Sequence, residues 1–296
     1  MTAVTPVIAV TGATGRLGGG VAAALAARGV PLRLLVRDAA RAPALPGAEV
    51  AVATYADGAA GRAALAGIGT VFMVSGAEEP DRLAAHRSFV DAAVAAGVRR
   101  LVYTSFFAAA ADATFTLARD HWHTEQHIRA AGCRFTFLRD NLYADVLVPF
   151  AGRDGVLLGP AGDGRVSAVA RRDVVDAAVA VLLAAPDEAA GSDGSAASGS
   201  PHDGRTYDLT GPESLSLADA ARIITEVTGR PVRYEPQTVA QAFASRAGYG
   251  APGWQVEAWV STYTAIAAGE LAPVSADLEL LIGRPATTLA RLLAAG

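Results

Sequence analysis

Five glycines occupy residues 9–20, AVTGATGRLGGG, directly after a short apolar run. Glycine weakens a helix by roughly 1 kcal/mol relative to alanine, so a local structural requirement must offset that loss. Gly12, Gly15 and Gly18 lie three residues apart, after a strand-like run and at the start of a helix-like stretch. In this context the spacing predicts a loop that binds the pyrophosphate of a dinucleotide. The alternative is a glycine-rich turn in an ordinary strand–helix unit.

Each glycine of this loop has its own expected role. Gly12 makes the tight turn after the strand, and Gly15 lets backbone N–H groups approach the phosphates. Gly18 lets the helix pack closely against the strand. The N-terminus of the helix adds partial positive charge, which favours a bound anion.

Strand-like and helix-like stretches alternate through the first half of the chain. Gly29, Gly97 and Gly132 lie where three of these helices would end, as C-terminal caps. Short apolar strands that alternate with helices predict an α/β fold with a doubly wound parallel sheet, the Rossmann fold. The strand-like runs are 7–11, 32–36, 49–53, 70–74, 100–104 and 134–138, and the helix-like stretches are 17–28, 61–66, 82–96 and 120–131.

The second half of the chain is less regular, but it carries two clear local signals. Ser216, with Asp219 three residues later and Gly229 after a further ten, predicts a capped helix. The sequence RPVRYEP that follows predicts a short strand, and an aromatic-rich segment from about residue 242 to 269 predicts partly helical structure.

These patterns predict two domains. We expect a dinucleotide-binding Rossmann domain at 1–150, which also receives segments from about 165–188 and 205–211. The rest of 151–296 is expected to form a smaller substrate-binding lobe at the carboxyl edge of the sheet. The Gly/Ser-rich residues 189–204 predict a surface loop.

Composition excludes several classes of protein. The 296 residues carry 25 basic and 29 acidic side chains without a basic cluster, so we predict no nucleic-acid partner. No apolar run reaches the ~18 residues of a membrane-spanning helix, so no membrane partner is expected. Cys133 is the one cysteine, and the first ten residues do not resemble a secretory signal. Both observations predict a cytoplasmic protein.

The end of the second predicted strand indicates which cofactor the loop binds. Arg37 and Arg41 follow that strand, and Arg16 lies within the glycine loop. Arginine binds phosphate oxygens bidentately, so these residues favour NADPH, with its 2′-phosphate. Asp38 leaves NADH open, because an acidic residue at this point holds the ribose 2′-hydroxyl in NAD-dependent dehydrogenases.

Several stretches resemble one family. TGATGRLG, LLVRD, VYTSF and TFLRDNLYAD are similar to the NmrA-like branch of the atypical short-chain dehydrogenases/reductases, and most of all to its bacterial NADPH-dependent quinone reductases. The similarity continues from YDLTGPESLSL to LIGRPATTLARLL and so covers nearly the whole chain. The glycine pattern is common to many reductases, whereas LRDNLY and GRPATTL are more specific to this branch.

The resemblance implies a set of site residues. The family often has an acidic residue near Thr54 on the adenine side, and Asp57 is the candidate for that role here. The implied cofactor-binding residues are Thr11, Gly12, Thr14, Gly15, Arg16, Leu17, Gly18, Arg37, Asp57, Val74, Ser75, Gly76, Thr104 and Ser105, and the implied substrate-binding residues are Phe106, Asn141 and Tyr143.

The resemblance also exposes a missing proton donor. Where the wider superfamily has a Tyr-x-x-x-Lys pair, this chain has Leu117 and His121. Reduction of a ketone gives an alkoxide nearly as basic as hydroxide, whose parent water has a pKa of about 15.7. Reduction of a quinone gives a phenolate, comparable to tyrosine with a pKa of about 10, which needs no strong acid. The missing pair therefore favours a quinone-like acceptor.

His121 has three possible roles: a ligand of the nicotinamide ribose, a proton donor to the reduced quinone, or a packing residue of its helix. We take it as the candidate catalytic residue.

His123 and His127 share a helical face at ligand spacing, but no third ligand is evident, so we predict no metal and place both at the surface. Phe106 and Trp254 are the aromatic candidates for stacking on a flat substrate, with core packing as the alternative.

These observations predict an NAD(P)H-dependent reductase that transfers hydride to a quinone or related aromatic carbonyl. The resemblance also implies a polycyclic, anthraquinone-like substrate in antibiotic biosynthesis, with the dihydroquinone passed to a separate oxygenase component. A non-catalytic NAD(P)-sensing regulator is the alternative, because the missing Tyr/Lys pair is compatible with it. An isoflavone-reductase-like or epimerase-like enzyme is a third possibility, which a lysine at position 121 would have supported.

Overall fold

The main sheet has seven strands in this computed structural model, which describes residues 7–185 and 199–295. The strands are β1 (Ile8–Thr11), β2 (Leu32–Val36), β3 (Ala48–Val52), β4 (Thr70–Met73), β5 (Arg100–Phe106), β6 (Arg134–Asp140), β7 (Val156–Gly159), β8 (Arg165–Val166), β9 (Arg205–Leu209), β10 (Leu215–Ser216) and β11 (Arg233–Pro236). The helices are α1 (Arg16–Ala26), α2 (Gly58–Ala64), α3 (Arg82–Ala95), α4 (Thr116–Ala130), α5 (Leu147–Phe150), α6 (Arg171–Leu183), α7 (Leu217–Thr228), α8 (Val239–Arg246), α9 (Gly253–Ala267), α10 (Asp277–Ile282) and α11 (Leu289–Ala294).

The order of the main sheet is β3-β2-β1-β4-β5-β6-β9. Strand β1 pairs in parallel with β2 on one side and with β4 on the other, with Ile8 opposite Leu32 and Thr70. This is the doubly wound order in which the chain reverses direction across the sheet between β1 and β4. The predicted Rossmann fold is confirmed. Ligands of such sheets bind outside the carboxyl ends of the strands at this switch point.

The burial of the strands explains why they are apolar runs rather than alternating sequences. All four residues of β1 are buried, and four of the five residues of β2 are buried. Parallel strands are covered on both faces, so each residue contacts the core. At the edge of the sheet β3 is more open, and Val50 and Val52 are 47% and 54% exposed.

The predicted elements are close to those observed. Gly29, Gly97 and Gly132 have φ values of +74°, +86° and +76°, as expected of helix-ending glycines. Two helix starts differ by three or more residues: α2 begins at Gly58 rather than at residue 61, and α4 begins at Thr116 rather than at residue 120. The backbone N–H of Thr116 donates to Ser261 Oγ at 3.1 Å, so a residue distant in sequence caps the helix start.

The chain divides into two units of comparable size. The first holds the described residues up to Thr104, with His123–Leu138 and Val175–Tyr207, and the second holds Ser105–Trp122, Arg139–Val174 and the chain from Asp208 onward. This division differs from the predicted boundary at residue 150, because the chain passes from one unit to the other five times, within β5, α4, β6, α6 and β9.

The second unit contains two small sheets. Strand β10 pairs antiparallel with β8, and β11 pairs in parallel with β7. The predicted capped helix is α7, where the Ser216 and Asp219 side chains form a reciprocal capping box and Gly229 ends the helix at φ +70°. The predicted strand in RPVRYEP is β11.

One predicted element lies mostly in a part of the chain that the structure does not describe. The predicted Gly/Ser-rich loop lies outside the described residues as far as residue 198, and so do the first six residues of the chain. None of the helices in the described ranges combines the length and the hydropathy that a membrane-spanning segment needs.

Candidate functional site

The glycine loop between β1 and α1 has the close backbone packing that its sequence predicts. Gly12 has φ +62°, and its carbonyl accepts a hydrogen bond from the Gly15 N–H at 2.8 Å, which closes the turn. A Cβ at Gly18 would lie 2.5 Å from the carbonyl oxygens of Thr11 and Gly12. Only glycine allows this approach of helix to strand without a backbone shift.

The N-terminus of α1 is open to an anion. Gly15 is the residue at the helix start, and no side chain of the described residues caps it. The first turn also carries no acidic side chain. Thr14, Gly15 and Arg16 are exposed, while Leu17 behind them is buried. Exposed backbone N–H groups at the positive end of a helix are a common site for phosphate.

A cleft of about 580 Å³ lies over this loop, entirely within the first unit. Its volume is in the range of sites for cofactors and other small molecules. Eleven of the predicted cofactor-binding residues line it: Thr11, Gly12, Thr14, Gly15, Arg16, Leu17, Gly18, Arg37, Val74, Ser75 and Gly76. The other lining residues are Leu35, Val36, Ala53, Thr54, Tyr55, Ala56, Ala77, Glu79, Arg82, Ala85, His86 and Phe89.

A partly buried hydroxyl network fixes the loop after β4 against the glycine loop. The Val74 N–H donates to Thr11 Oγ1 at 2.9 Å, and the Tyr55 hydroxyl donates to the Val74 carbonyl at 2.5 Å. The two hydroxyls are also 2.5 Å apart. Burial raises the pKa of Tyr55 above its usual value, so the phenol stays protonated as a donor. Both edges of the cleft are therefore held in one arrangement.

Two residues of α3 hold the next part of the same loop. The Gly76 N–H donates to His86 Nε2 at 2.8 Å, and Arg82 Nε donates to the Gly76 carbonyl at 3.0 Å. Because Nε2 accepts, His86 is neutral and carries its proton on Nδ1, which lies 2.9 Å from Thr124 Oγ1. Burial, with the nearby Arg82 charge, lowers the pKa of His86 to about 3. The imidazole is thus an acceptor across the neutral pH range.

The charges of the cleft favour an anionic ligand. Three arginines, Arg16, Arg37 and Arg82, and one carboxylate, Glu79, line it. Asp38 Oδ1 accepts from the Ala40 N–H at 2.9 Å and so caps a turn beside the cleft. This contact favours Arg37 over Asp38 as the side chain that faces the adenosine ribose.

Three predicted cofactor residues do not line the cleft. Asp57 Oδ1 accepts from the Ala60 N–H at 3.0 Å and caps α2. Thr104 Oγ1 accepts from the Ser75 N–H at 2.8 Å, so it supports the loop after β4 from behind. Ser105 is buried at the start of the second unit. The structure gives Asp57 and Thr104 supporting roles in the positions where the sequence predicts direct contacts.

The second unit gathers aromatic side chains after β5. The Phe106 ring lies 4.8 Å from Phe115 and 6.1 Å from the ring of His121, measured between centroids. His121 is buried on α4, and Phe106 is half-buried. Trp254 is half-buried in the first turn of α9. Half-buried aromatic rings present flat surfaces on which a planar substrate can stack.

Asn141 is a structural link within the second unit. Its side-chain amide donates to Ser167 Oγ at 2.9 Å and to the Leu271 carbonyl at 3.0 Å. Its side-chain oxygen accepts from the Leu142 N–H at 2.7 Å. These contacts use both amide hydrogens, which favours a structural role over the predicted substrate contact.

Tyr143 belongs to a polar cluster at the end of β6. Its hydroxyl donates to the buried carboxylate of Asp140, and the Arg171 guanidinium lies 4.5 Å from the centre of its ring. Burial raises the pKa of Asp140 to about 7, although the Tyr143 hydrogen bond and the Arg171 charge act against this rise. Arg171 is in turn paired with Asp145 at 3.2 Å.

The two other histidines of α4 lie near the surface. His127 Nε2 is 2.7 Å from Asp91 Oδ1, and its side chain is 28% exposed. His123 is partly exposed. In the parts of the chain that are described, no group of three His, Cys, Asp or Glu side chains could hold a metal ion.

Sequence reasoning missed Tyr55, Arg82 and His86. The spacing of Arg82 and His86 was the available signal, because residues four apart on a helix share one face. Tyr55 had no such signal, since its contact with Thr11 joins residues 44 positions apart.

Comparisons with known proteins agree with this geometry. Residues 5–247 match the model of the NmrA-like family. Quinone oxidoreductase 2 of Escherichia coli is 33% identical over 291 residues, which are 96% of each chain. NAD(P)H azoreductase of Xenophilus azovorans is 32% identical and covers 96% of this chain and 95% of its own length.

A solved structure gives the same result. The NADPH-dependent quinone oxidoreductase of E. coli, crystallised with NADPH, superposes with a TM-score of 0.84 at 32% identity. The superposition covers 97% of this chain and 99% of the other. The family model and the two relatives together confirm the resemblance predicted from the sequence, and the chain belongs to the NmrA-like family.

Proposed function

We propose that this protein is an NADPH-dependent reductase that transfers hydride to a quinone or a related aromatic carbonyl. The cleft over the glycine loop carries the proposal, because it offers a phosphate-binding helix start and arginines in one connected space. The relatives named for quinone and azo reduction align with this chain over 96% of its length, which supports the same chemistry here.

The residues of the cleft fit NADPH part by part. The backbone from Thr11 to Gly18 would hold the pyrophosphate, in a loop so closely packed that a Cβ at Gly18 would collide with two carbonyl oxygens. Arg37 would bind the 2′-phosphate, and Arg16 is a second cation that lines the cleft. Val74, Ser75 and Gly76 would lie along the nicotinamide ribose, on a loop already fixed by its hydrogen bonds.

The reaction would convert NADPH, a proton and a quinone into NADP⁺ and a dihydroquinone. NADPH would supply the hydride, which carries one proton and two electrons, and the quinone would become a hydroquinone monoanion with one phenolate oxygen. A phenolate with a pKa of about 10 takes its proton from water or from a weak acid such as an imidazolium. His121 beside Phe106 is the side chain that we assign to this proton transfer.

We also propose a polycyclic, anthraquinone-like substrate, reduced for a separate oxygenase component. The half-buried Phe106 and Trp254, together with the ring contact between Phe106 and Phe115, support a planar substrate of more than one ring. Tyr143 would border this substrate, as the family resemblance implies.

The test is consumption of NADPH by the purified protein, followed by absorbance with single-ring, two-ring and three-ring quinones. We expect turnover that rises with ring number and depends on the protein concentration. If the protein binds NADPH but consumes none above background with any of the acceptors, the result would contradict the reductase and favour an NAD(P)-sensing protein.

The same assay tests the proton donor. His121→Ala should lower kcat about tenfold or more if the imidazole donates the proton.

A further inference from the structure

One ion pair joins the two sides of the cofactor cleft. Arg37 Nη1 lies 3.5 Å from Glu79 Oε1, and both side chains line the cleft. Arg37 directly follows β2, and Glu79 lies in the loop after β4. Because β2 and β4 flank β1 on opposite sides, this contact spans the loop that follows β1. The pair therefore occupies the end of the cleft where the adenosine ribose of a dinucleotide would lie.

Glu79 brings a negative charge into a cleft whose other charged lining residues are arginines. It is the one carboxylate among the described lining residues of the cleft, against three arginines. A carboxylate beside a phosphate site repels the phosphate and occupies a cation that the phosphate needs. The Arg37 and Glu79 side chains are 70% and 59% exposed. An exposed pair of this kind is weak, so a phosphate dianion can displace the carboxylate.

We propose that Glu79 sets the cofactor selectivity of the cleft by competing with the 2′-phosphate of NADPH for Arg37. With NADPH bound, the guanidinium turns from the carboxylate to the phosphate, and Glu79 is left near a second anion. With NADH bound, Arg37 keeps Glu79 as its partner, so the absence of a phosphate leaves no unpaired cation. Glu79 thus reduces the preference for NADPH and lets NADH be used as well. This inference rests on the proposed dinucleotide site.

The test compares the affinities of NADPH and NADH in wild type and in Glu79→Gln by isothermal titration calorimetry at low salt. Removal of one competing charge should tighten NADPH binding by about three- to tenfold. NADH binding should change less than twofold, because it has no 2′-phosphate. The gain should shrink as salt is raised, since screening weakens exposed charge pairs.

Glu226→Gln is the matched control. Glu226 is also 59% exposed and also paired with an arginine, Arg222, at 3.0 Å, but it does not line the cleft. The Glu226→Gln substitution removes the same charge from the protein as Glu79→Gln does, so an effect of net charge alone would appear in both variants. We expect no change in the ratio of the NADPH and NADH affinities for Glu226→Gln.

A third variant tests whether Glu79 acts through Arg37. In an Arg37→Ala background, Glu79→Gln should change the ratio by less than twofold. An unchanged ratio in Glu79→Gln, weaker NADPH binding, or a full effect without Arg37 would each overturn the proposal. A wild-type protein that binds NADPH but reduces no quinone would contradict the proposed reductase. The ratio of the NADPH and NADH affinities would still test the role of Glu79 in that case. A wild type that binds neither dinucleotide would overturn both.

Discussion

The two units of the chain differ in how directly their sequences report their roles. In the first unit, the residues predicted for phosphate binding line one cleft, because glycine spacing after a strand fixes the path of the backbone. In the second unit, Asn141 is predicted to contact a substrate, and its side chain forms hydrogen bonds with Ser167, Leu271 and Leu142. A site made of backbone can be recognised from local sequence, whereas a polar side chain needs its distant neighbours to be known.

The GRPATTL stretch shows the same contrast. Its Thr287 donates from N–H and hydroxyl to the carboxylate of Asp173, at 2.6 and 3.0 Å, and its Arg284 donates to the same carboxylate at 2.8 Å. Asp173 has no exposed surface. The stretch that is specific to this family branch therefore attaches the end of the chain to α6, which is a structural task.

The largest expected effect comes from this attachment. Asp173→Ala should lower the free energy of unfolding by about 3–5 kcal/mol, because Arg284 and two Thr287 donors lose a buried anionic partner. Urea denaturation measures the loss. The exposed Asp163 provides the control, and Asp163→Ala should change stability by less than about 0.5 kcal/mol. Equal losses in both variants would show that the attachment contributes little.

The next effect concerns pH and separates the two units. Because burial raises the pKa of Asp140 to about 7, the folded protein holds that proton more tightly than the unfolded chain does. The stability that this group contributes is complete below about pH 4 and is lost as pH rises towards 7. Asp140→Asn, which cannot titrate, should remove roughly 2–4 kcal/mol of this dependence. Unfolding curves of both proteins at pH 4, 6 and 8 measure the difference.

His86 in the first unit should respond in the opposite direction. Its lowered pKa means that the stability His86 contributes is complete above about pH 6.5 and is lost as pH falls towards 3.

One outcome would contradict the prediction for Asp140. If the stabilities of the wild type and of Asp140→Asn depend on pH in the same way, Asp140 does not hold its proton more tightly in the folded protein.

A smaller effect tests the backbone of the cleft itself. Gly18→Ala places a Cβ 2.5 Å from the carbonyl oxygens of Thr11 and Gly12, so the backbone of the helix or of the loop must shift to make room for it. We expect NADPH to bind about 10- to 100-fold more weakly, which corresponds to about 1–3 kcal/mol of misfit. Calorimetry gives the affinity, and circular dichroism checks that the fold is kept. Gly248→Ala is the control, since a Cβ there has no atom within 4 Å.

The smallest effect concerns strain in the second unit. Ala108 has φ +57°, a left-handed conformation that alanine rarely adopts. Ala108→Gly should raise the free energy of unfolding by about 0.5 kcal/mol, because relief of strain slightly exceeds the added freedom of the unfolded chain. Ala110→Gly in the same loop should lower it instead. A loss of stability in both variants would indicate that the methyl group of Ala108 contributes more by packing than it costs by strain.

The fold and the glycine loop were predictable because they depend on patterns that repeat within a few residues. Apolar strands, helix-ending glycines and the cap at Ser216 each depend on interactions between residues that are close in sequence. The support of the cleft was not predictable, because Thr11 contacts Tyr55, and Thr11 and Thr104 bind the loop after β4, only when the strands lie side by side. Thr116 was missed as a helix start for the same reason, since its partner Ser261 is 145 residues away.

The repeated passage of the chain between the two units has a consequence for synthesis. The first unit needs residues as late as Tyr207, and the second needs residues as early as Ser105. Neither can be completed while only the first half of the polypeptide has left the ribosome. Nascent chains that stop near residue 150 should therefore stay sensitive to protease, even though they already contain the whole glycine loop.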